Sequence, residues 1–271
     1  PVDRMMLVEI IMGEKTADKA LAVALDYVQA IKKTPIVVND TRGFYVNRCV
    51  MRYMTEAYSM VVEGIPPVMI ENIAKMAGMP VGPLALNDEV AIDLSQKVNR
   101  ATIADLGESA VDPRHVKLID TMVDDHGRLG RKNGKGFYDY PEKPAKKHIW
   151  PGLKDLYPQQ NADDIDIEEV KTRFLATITL EAARTMEEGI VTDPREADVG
   201  SILGFGFAPY TGGALSYIDG IGAREFVTMC DALALKHGDH FKPTPLLRDM
   251  AKNGETFYGR FGAGENIGQA A

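Results

Sequence analysis

Residues 5–11 form a continuous apolar run broken only by Glu9, the pattern of a buried β-strand. The turn Gly13-Glu14-Lys15 leads to Thr16, placed to cap a helix with Asp18 in its first turn. Ala20, Leu21, Ala24, Leu25, Val28 and Ile31 then recur at helical spacing. Residues 34–38, TPIVV, read as a second short strand. Strand, helix and strand make one βαβ unit, which cannot stand alone as a sheet. Residues 1–39 are therefore expected to be the last part of a larger α/β domain.

Beyond Asn39 the pattern changes to long helices. Residues 44–63 predict one helix, stopped by Gly64. A second is expected over 66–79, a third region from Gly82-Pro83 to about 104, and a shorter helix over 115–125. Residues 127–140 are basic and punctuated by glycine. The segment 141–163 carries four prolines and many polar residues, a composition that predicts a linker. Helices resume over 165–251, and the last ten residues show no packing pattern.

The two helical stretches resemble each other. Glu56-Ala57 and Glu63-Gly64-Ile65 match Glu181-Ala182 and Glu188-Gly189-Ile190 at an offset of 125. Gly78, Pro83, Ile92 and Asp93 match Gly204, Pro209, Ile218 and Asp219 at 126. Kept spacing between blocks predicts a duplication, over 40–140 and 164–262, with 263–271 as a tail. Two copies are too few for a solenoid, so a side-by-side pair about an approximate twofold axis is expected. Position 172, the counterpart of Asn47, is a threonine.

Composition narrows the function classes. A formal net charge of −8 argues against nucleic acid or an anionic membrane as the main partner. No apolar run is long enough to span a bilayer, and no signal peptide is evident. The chain opens at Pro1 directly into an apolar run, which suggests a fragment. Two cysteines far apart inside helical patterns predict free thiols and a reducing compartment. The cluster His237-Gly238-Asp239-His240 lacks a third ligand at metal-site spacing and reads as a solvated loop. Gly262-Ala263-Gly264 follows no strand and opens no helix, so it is no dinucleotide fingerprint.

The blocks MMLVEIIMGEKT, KTPIVVNDTRGFYVNR, MAGMPVGPLALNDEVAID and GRLGRKNGKGFYDY resemble, in order and spacing, the L-3-hydroxyacyl-CoA dehydrogenases. GFGFAPYTGGALSYID resembles the extra C-terminal copy in the multifunctional α subunits of the fatty-acid oxidation complex. The resemblance implies a mainly α fold. Two tandem all-helical dehydrogenase C-terminal domains, of the 6-phosphogluconate dehydrogenase C-terminal type, would follow a βαβ remnant of a Rossmann-like domain. It implies NAD as cofactor, an acyl-CoA thioester as substrate, and further N-terminal domains including a hydratase/isomerase. It also allows a thiolase subunit as partner, and a bacterial cytoplasmic or mitochondrial matrix location. The histidine base and the glycine-rich NAD fingerprint would lie upstream of Pro1, leaving this chain alone inactive.

Three residues carry the implied site. Glu9 matches the glutamate that holds the family's catalytic histidine. On the residues alone, a carboxylate within an apolar strand invites a functional reading, with a strand-edge glutamate facing water as the alternative. Asn47 matches a substrate-contacting asparagine, whose amide could donate to a thioester or ketone oxygen. On spacing alone it reads as a surface or capping residue. Lys132 lies where simpler members place a lysine near the cofactor, and a solvated basic turn is equally compatible. Asp93 and Asp219 are expected to cap helices. A related β-hydroxyacid dehydrogenase and a non-catalytic helical dimerisation or interaction module are the competing readings.

Overall fold

The computed structural model describes residues 2–262. In chain order the main elements are β1 (Leu7–Met12), α1 (Asp18–Ala30), β2 (Thr34–Asn39), α2 (Val46–Val62), α3 (Pro67–Met76), α4 (Pro83–Val90), α5 (Ile92–Leu106) and α6 (Pro113–Asp120). They continue with β3 (Tyr138–Asp139), β4 (His148–Ile149), α7 (Leu153–Leu156), α8 (Ile167–Glu187), α9 (Pro194–Phe205), α10 (Ala214–Ile221), α11 (Ala223–His237), α12 (Pro245–Asn253) and α13 (Phe257–Phe261). The protein is mainly helical, with a small parallel sheet at its start.

Two compact units form, and they do not follow the sequence blocks. One comprises residues 1–52 and 175–271, the other residues 53–174. The boundaries pass through α2 and α8.

In the first unit β1 and β2 pair in parallel, with Glu9 opposite Ile36. Thr16 does not cap α1. Its hydroxyl accepts from Gly13 N–H at 3.0 Å, tightening the turn, and Ala17 occupies the cap position without a side-chain bond. The outer side of β2 is met by the later helices. Asn39 N–H donates to Ile190 O at 2.8 Å, Asn39 Nδ2 to Gly189 O at 2.7 Å, and Val37 N–H to Glu196 Oε1 at 3.2 Å. These contacts satisfy edge groups that would otherwise stand open. Cys49 and Cys230 are both buried free thiols.

Buried carboxylates organise each unit, and they do so in the same way. In the second unit Glu71 of α3 accepts from Leu84 N–H at 2.7 Å, Ala85 N–H at 3.3 Å and Tyr138 OH at 2.8 Å. In the first, Asp198 of α9 accepts from Leu215 N–H at 2.7 Å, Ser216 N–H at 3.2 Å and Tyr258 OH at 2.9 Å. Each carboxylate caps the helix that starts beside it, α4 or α10, taking N–H groups that have no partner within the helix. Gly82 and Gly213 precede those helices, and a Cβ at either would come within 2.3 Å of the carboxylate-bearing side chain. Asp88 likewise accepts from Phe137 and Tyr138 N–H at 2.8 and 2.9 Å, and Asp219 from Phe257 and Tyr258 N–H at 2.7 and 3.1 Å.

Several expectations change here. Asp219 plays the part of Asp88, not of Asp93, because the stretch around α9 and the turn at Pro209–Thr211 is longer than its counterpart and shifts the register. Asp93 makes no capping bond to α5 and instead pairs with Lys97 and Lys132. The helix expected from Gly82 to about 104 is two helices, broken at Ala91, whose φ of 91° lies in the left-handed region. The proline-rich segment 141–163 is no free connector. Trp150 packs under the Arg128 guanidinium at 4.2 Å, Leu153 is buried, and Gln160 N–H donates to Gly64 O at 2.8 Å. The tail expected over 263–271 lies outside the described residues.

Candidate active site at the first turn of α2

The loop from β2 into α2 is built to bring backbone N–H groups to Glu9. Asp40 N–H donates to Met12 O at 3.0 Å, and Phe44 N–H closes a turn on Thr41 O at 3.2 Å. Gly43 and Phe44 have φ values of 80° and 50°. Glycine tolerates this, but a left-handed phenylalanine costs roughly 1–2 kcal/mol, which the surrounding contacts must offset. The result is that Tyr45 and Val46 N–H both donate to Glu9 Oε1, at 3.0 and 3.1 Å. Glu9 therefore caps α2 from a strand far away in sequence, and places negative charge at the positive end of the helix dipole. Burial pushes the Glu9 carboxyl above the usual range, and the Val46 and Tyr45 amides offset only part of that.

Asn47 stands in the first turn of the same helix. It is exposed, and its side-chain amide makes no hydrogen bond among the described residues. Its neighbours on both sides are held. Tyr45 OH donates to Ala197 O at 2.8 Å, and Arg48 Nε donates to Glu181 Oε1 at 2.8 Å. The structure thus brings Glu9 and Asn47 to one helix end.

Lys132 belongs to the second unit. It lies on a short 3-10 turn, half-exposed, with its ammonium on Asp93. That ion pair accounts for the residue without a ligand. His237 and His240 lie against Phe241, and no metal-binding group of His, Cys, Asp or Glu occurs among the described residues. No described helix is long and apolar enough to cross a membrane.

Arg48, Glu181 and Glu188 were not singled out from the sequence as site residues. A signal existed: Arg48 and Arg173 differ by 125, the same offset that relates Glu56 to Glu181 and Glu63 to Glu188.

Two family models match in succession. The NAD-binding domain of 3-hydroxyacyl-CoA dehydrogenase matches residues 1–41, and its C-terminal domain matches residues 43–140. The chain belongs to the 3-hydroxyacyl-CoA dehydrogenase family. Beyond residue 140 the similarity continues in curated relatives. The fatty acid oxidation complex subunit alpha of Shewanella amazonensis is 39% identical over 259 residues, covering 95% of this chain. That of Pseudomonas aeruginosa is 38% identical over 266 residues, covering 96%. This chain spans only 36% of the length of either relative. Among solved structures, 3-hydroxybutyryl-CoA dehydrogenase from Escherichia coli superposes with a TM-score of 0.71 at 21% identity, covering 93% of this chain and 68% of that one. The dehydrogenase part of multifunctional enzyme 1 from C. elegans gives 0.65 at 24%, covering 90% and 56%. These two likenesses speak to the fold.

Proposed function

We propose that this chain is the C-terminal part of an NAD-dependent 3-hydroxyacyl-CoA dehydrogenase of fatty-acid β-oxidation. The reaction converts (3S)-3-hydroxyacyl-CoA to the 3-oxoacyl-CoA in a longer, multifunctional, cytoplasmic parent. The observation that carries the reading is the Glu9 arrangement. One carboxylate oxygen takes two amides at the start of α2, and the other oxygen takes neither of them. A carboxylate fixed in this way can accept an imidazole N–H, set its tautomer and stabilise the imidazolium formed when the substrate hydroxyl loses its proton. Asn47, exposed in the same first turn, is placed to donate to the substrate oxygen as charge develops there.

The cofactor implied by this reading is NAD, which would supply the hydride acceptor. The residues described here do not make a cradle for its pyrophosphate. The turn between β1 and α1 is Gly13-Glu14-Lys15-Thr16-Ala17, without the close glycines that let a backbone approach phosphate. Lys132 is engaged by Asp93. Residues outside this chain would hold the cofactor, as they would supply the histidine base. Partners consistent with this reading are an acyl-CoA thioester, preceding catalytic domains and a thiolase subunit.

We also read the helices as two tandem copies of one dehydrogenase C-terminal domain, over 40–140 and 164–262. The matched carboxylate caps support it, as do Arg48 on Glu181 and Glu188 in the first unit and Arg173 on Glu56 and Glu63 in the second. Only the first copy carries the site.

The test is direct. The full-length parent should form NADH from (3S)-3-hydroxyacyl-CoA, and the isolated chain should do neither that nor bind NAD on calorimetric titration. A parent with no such activity on acyl-CoA thioesters, but with activity on free β-hydroxyacids, would move it to the related dehydrogenases. Micromolar NAD binding by the chain alone would show that it holds the cofactor after all.

A further inference from the structure

We infer that Glu181 of α8 and Glu188 just past its end, acting through Arg48, are positioning residues that aim the first turn of α2, and with it Asn47. The inference rests on the dehydrogenase reading of that turn. It gives the second helical copy a role in the reaction although it carries no counterpart of Glu9 or Asn47.

Arg48 directly follows Asn47, so its guanidinium restrains the turn that presents the amide. Its Nε donates to Glu181 Oε1 at 2.8 Å, and its terminal nitrogens bond Glu188. The opposite oxygen of Glu181 takes Arg52 Nε at 2.9 Å and Arg184 at 3.1 Å. A cation in the first turn faces the positive end of the helix dipole, so an uncompensated Arg48 would loosen the end that Glu9 caps. The two carboxylates reverse that penalty. Burial works against the Arg48 charge, and Glu188 and Glu181 overcome it, raising its pKa. Burial works equally against the Glu181 charge, and Arg52, Arg48 and Arg184 overcome it, lowering its pKa. Both partners stay ionised through neutral pH.

Other contacts from the same half converge on this turn. Tyr45 OH is held by Ala197 O. Gly200 and Gly204 of α9 let that helix lie close, since a Cβ would come within 2.8 Å of Ile36 Cδ1 at one and 2.7 Å of Val46 Cγ2 at the other. Residues 45, 46 and 48 are therefore fixed by β1, α9, and α8 with the turn that follows it, and the Asn47 amide between them is exposed and makes no hydrogen bond among the described residues. A side chain aimed at a ligand needs that combination.

Plain packing is the rival explanation, and the second unit supplies its control. Arg173 bonds Glu56 at 2.6 Å and Glu63 at 2.7 Å in the same pattern, beside a Thr172 hydroxyl that donates to its own helix at Glu168 O, 2.7 Å away. That cluster ties the start of α8, which carries no site, to α2 well beyond the first turn that presents Asn47.

The experiment measures steady-state kinetics of the full-length parent carrying Glu181→Gln or Glu56→Gln, each alone and combined with Asn47→Ala. Both single variants should melt earlier. Only Glu181→Gln should lower kcat, by about tenfold, with KM for NAD unchanged, since small misplacements of a reacting group carry rate penalties of this order. In the Asn47→Ala background Glu181→Gln should cost nothing more, because the residue it aims is gone. Equal kcat losses from Glu181→Gln and Glu56→Gln, or full additivity with Asn47→Ala, overturn the inference. Should Glu181→Gln fail to fold, Glu188→Gln, at the more exposed carboxylate, carries the same expectation at about threefold. If Asn47→Ala itself turns over at the parent rate, the dehydrogenase site is what fails. Amide exchange then decides the positioning claim alone: faster exchange at Tyr45 and Val46 in Glu181→Gln but not in Glu56→Gln upholds it, and unchanged exchange sinks it.

Discussion

The starts of α2 and α8 are the same device put to two uses. Both helices carry an arginine near the N-terminus that bonds two glutamates, and both bury most of that cluster. At α8 the cap is local: Asp166 accepts from Glu169 N–H at 3.0 Å, and Thr172 ties its hydroxyl back to Glu168 O. At α2 the cap comes from β1 through Glu9, and the Asn47 side chain makes no hydrogen bond among the described residues. A local cap makes a helix end self-sufficient. A cap borrowed from a strand couples the helix to whatever the strand belongs to, and leaves an ionisable group at the junction. The ion pairs also differ in depth. The side chains of Arg173 and Glu56 are 2% and 1% exposed, against 16% for Arg48. The deeper ion pair stands at α8, and the proposed site at α2.

The largest effect should come from removing the charge at α2. Glu9→Gln keeps an oxygen to accept the Tyr45 and Val46 amides but cannot stabilise an imidazolium. In the full-length parent, turnover should fall by about 10²–10⁴-fold, the range of general-base assistance. Because burial raises the Glu9 pKa, its ionised form works against folding, so the same variant should melt no earlier than the parent. Turnover near the parent value, or a loss of activity that simply follows a lower melting point, would return Glu9 to a purely structural role.

Next in size is the depth of the two ion pairs. Arg173→Met removes the guanidinium that bonds Glu56 and Glu63, the first of them fully buried, and should cost about 3–5 kcal/mol. Arg48→Met should cost less, about 1.5–3 kcal/mol, since Glu181 keeps Arg52 and Arg184. Urea unfolding of the two variants measures the difference. Equal costs would mean that the arginines are interchangeable packing and that the contrast between the helix ends lies in the caps alone.

The smallest effect separates the paired carboxylates Asp88 and Asp219. Burial raises both, and Asp88 is pushed up to about 6 from an ordinary 3.8. A folded pKa above the unfolded one means that stability is fully present below about 4 and is lost as pH rises through about 6. The loss amounts to at most about 3 kcal/mol for Asp88. Carboxyl carbon NMR titration should show Asp88 titrating near pH 6. An Asp88 midpoint near the ordinary value would show that its bonds from Phe137, Tyr138 and Tyr140 outweigh burial after all.

Much of this protein was legible in its residues. The apolar run around Glu9, the β-branched run at 34–38 and the helical spacing between them specify a βαβ unit without outside help. The long amphipathic helices α2 and α8 follow from periodicity, and Gly64 ends its helix as its residue type requires. The recurrence of Arg, Glu and Glu at one offset also stood in the sequence, because it records pairs of residues on rigid helices of fixed rise. What periodicity could not give were the partners of buried polar groups. It linked Asp93 to Asp219, while the structure gives the matching role to Asp88, because an extended loop shifts the register between the copies. Local composition reads Thr16 as a cap and 141–163 as a linker, since it says nothing of Gly13 in one case or of Arg128 over Trp150 in the other. The resemblance put Lys132 near the cofactor, while the fold pairs that ammonium with Asp93. Chain-local rules such as strand pattern, helix period and stop signals act over a few residues, so a sequence carries them in full. Which amide a carboxylate thirty residues away will cap, and which of two like arginines stands beside a free asparagine, depends on contacts between distant segments. Those contacts exist only once the chain has folded.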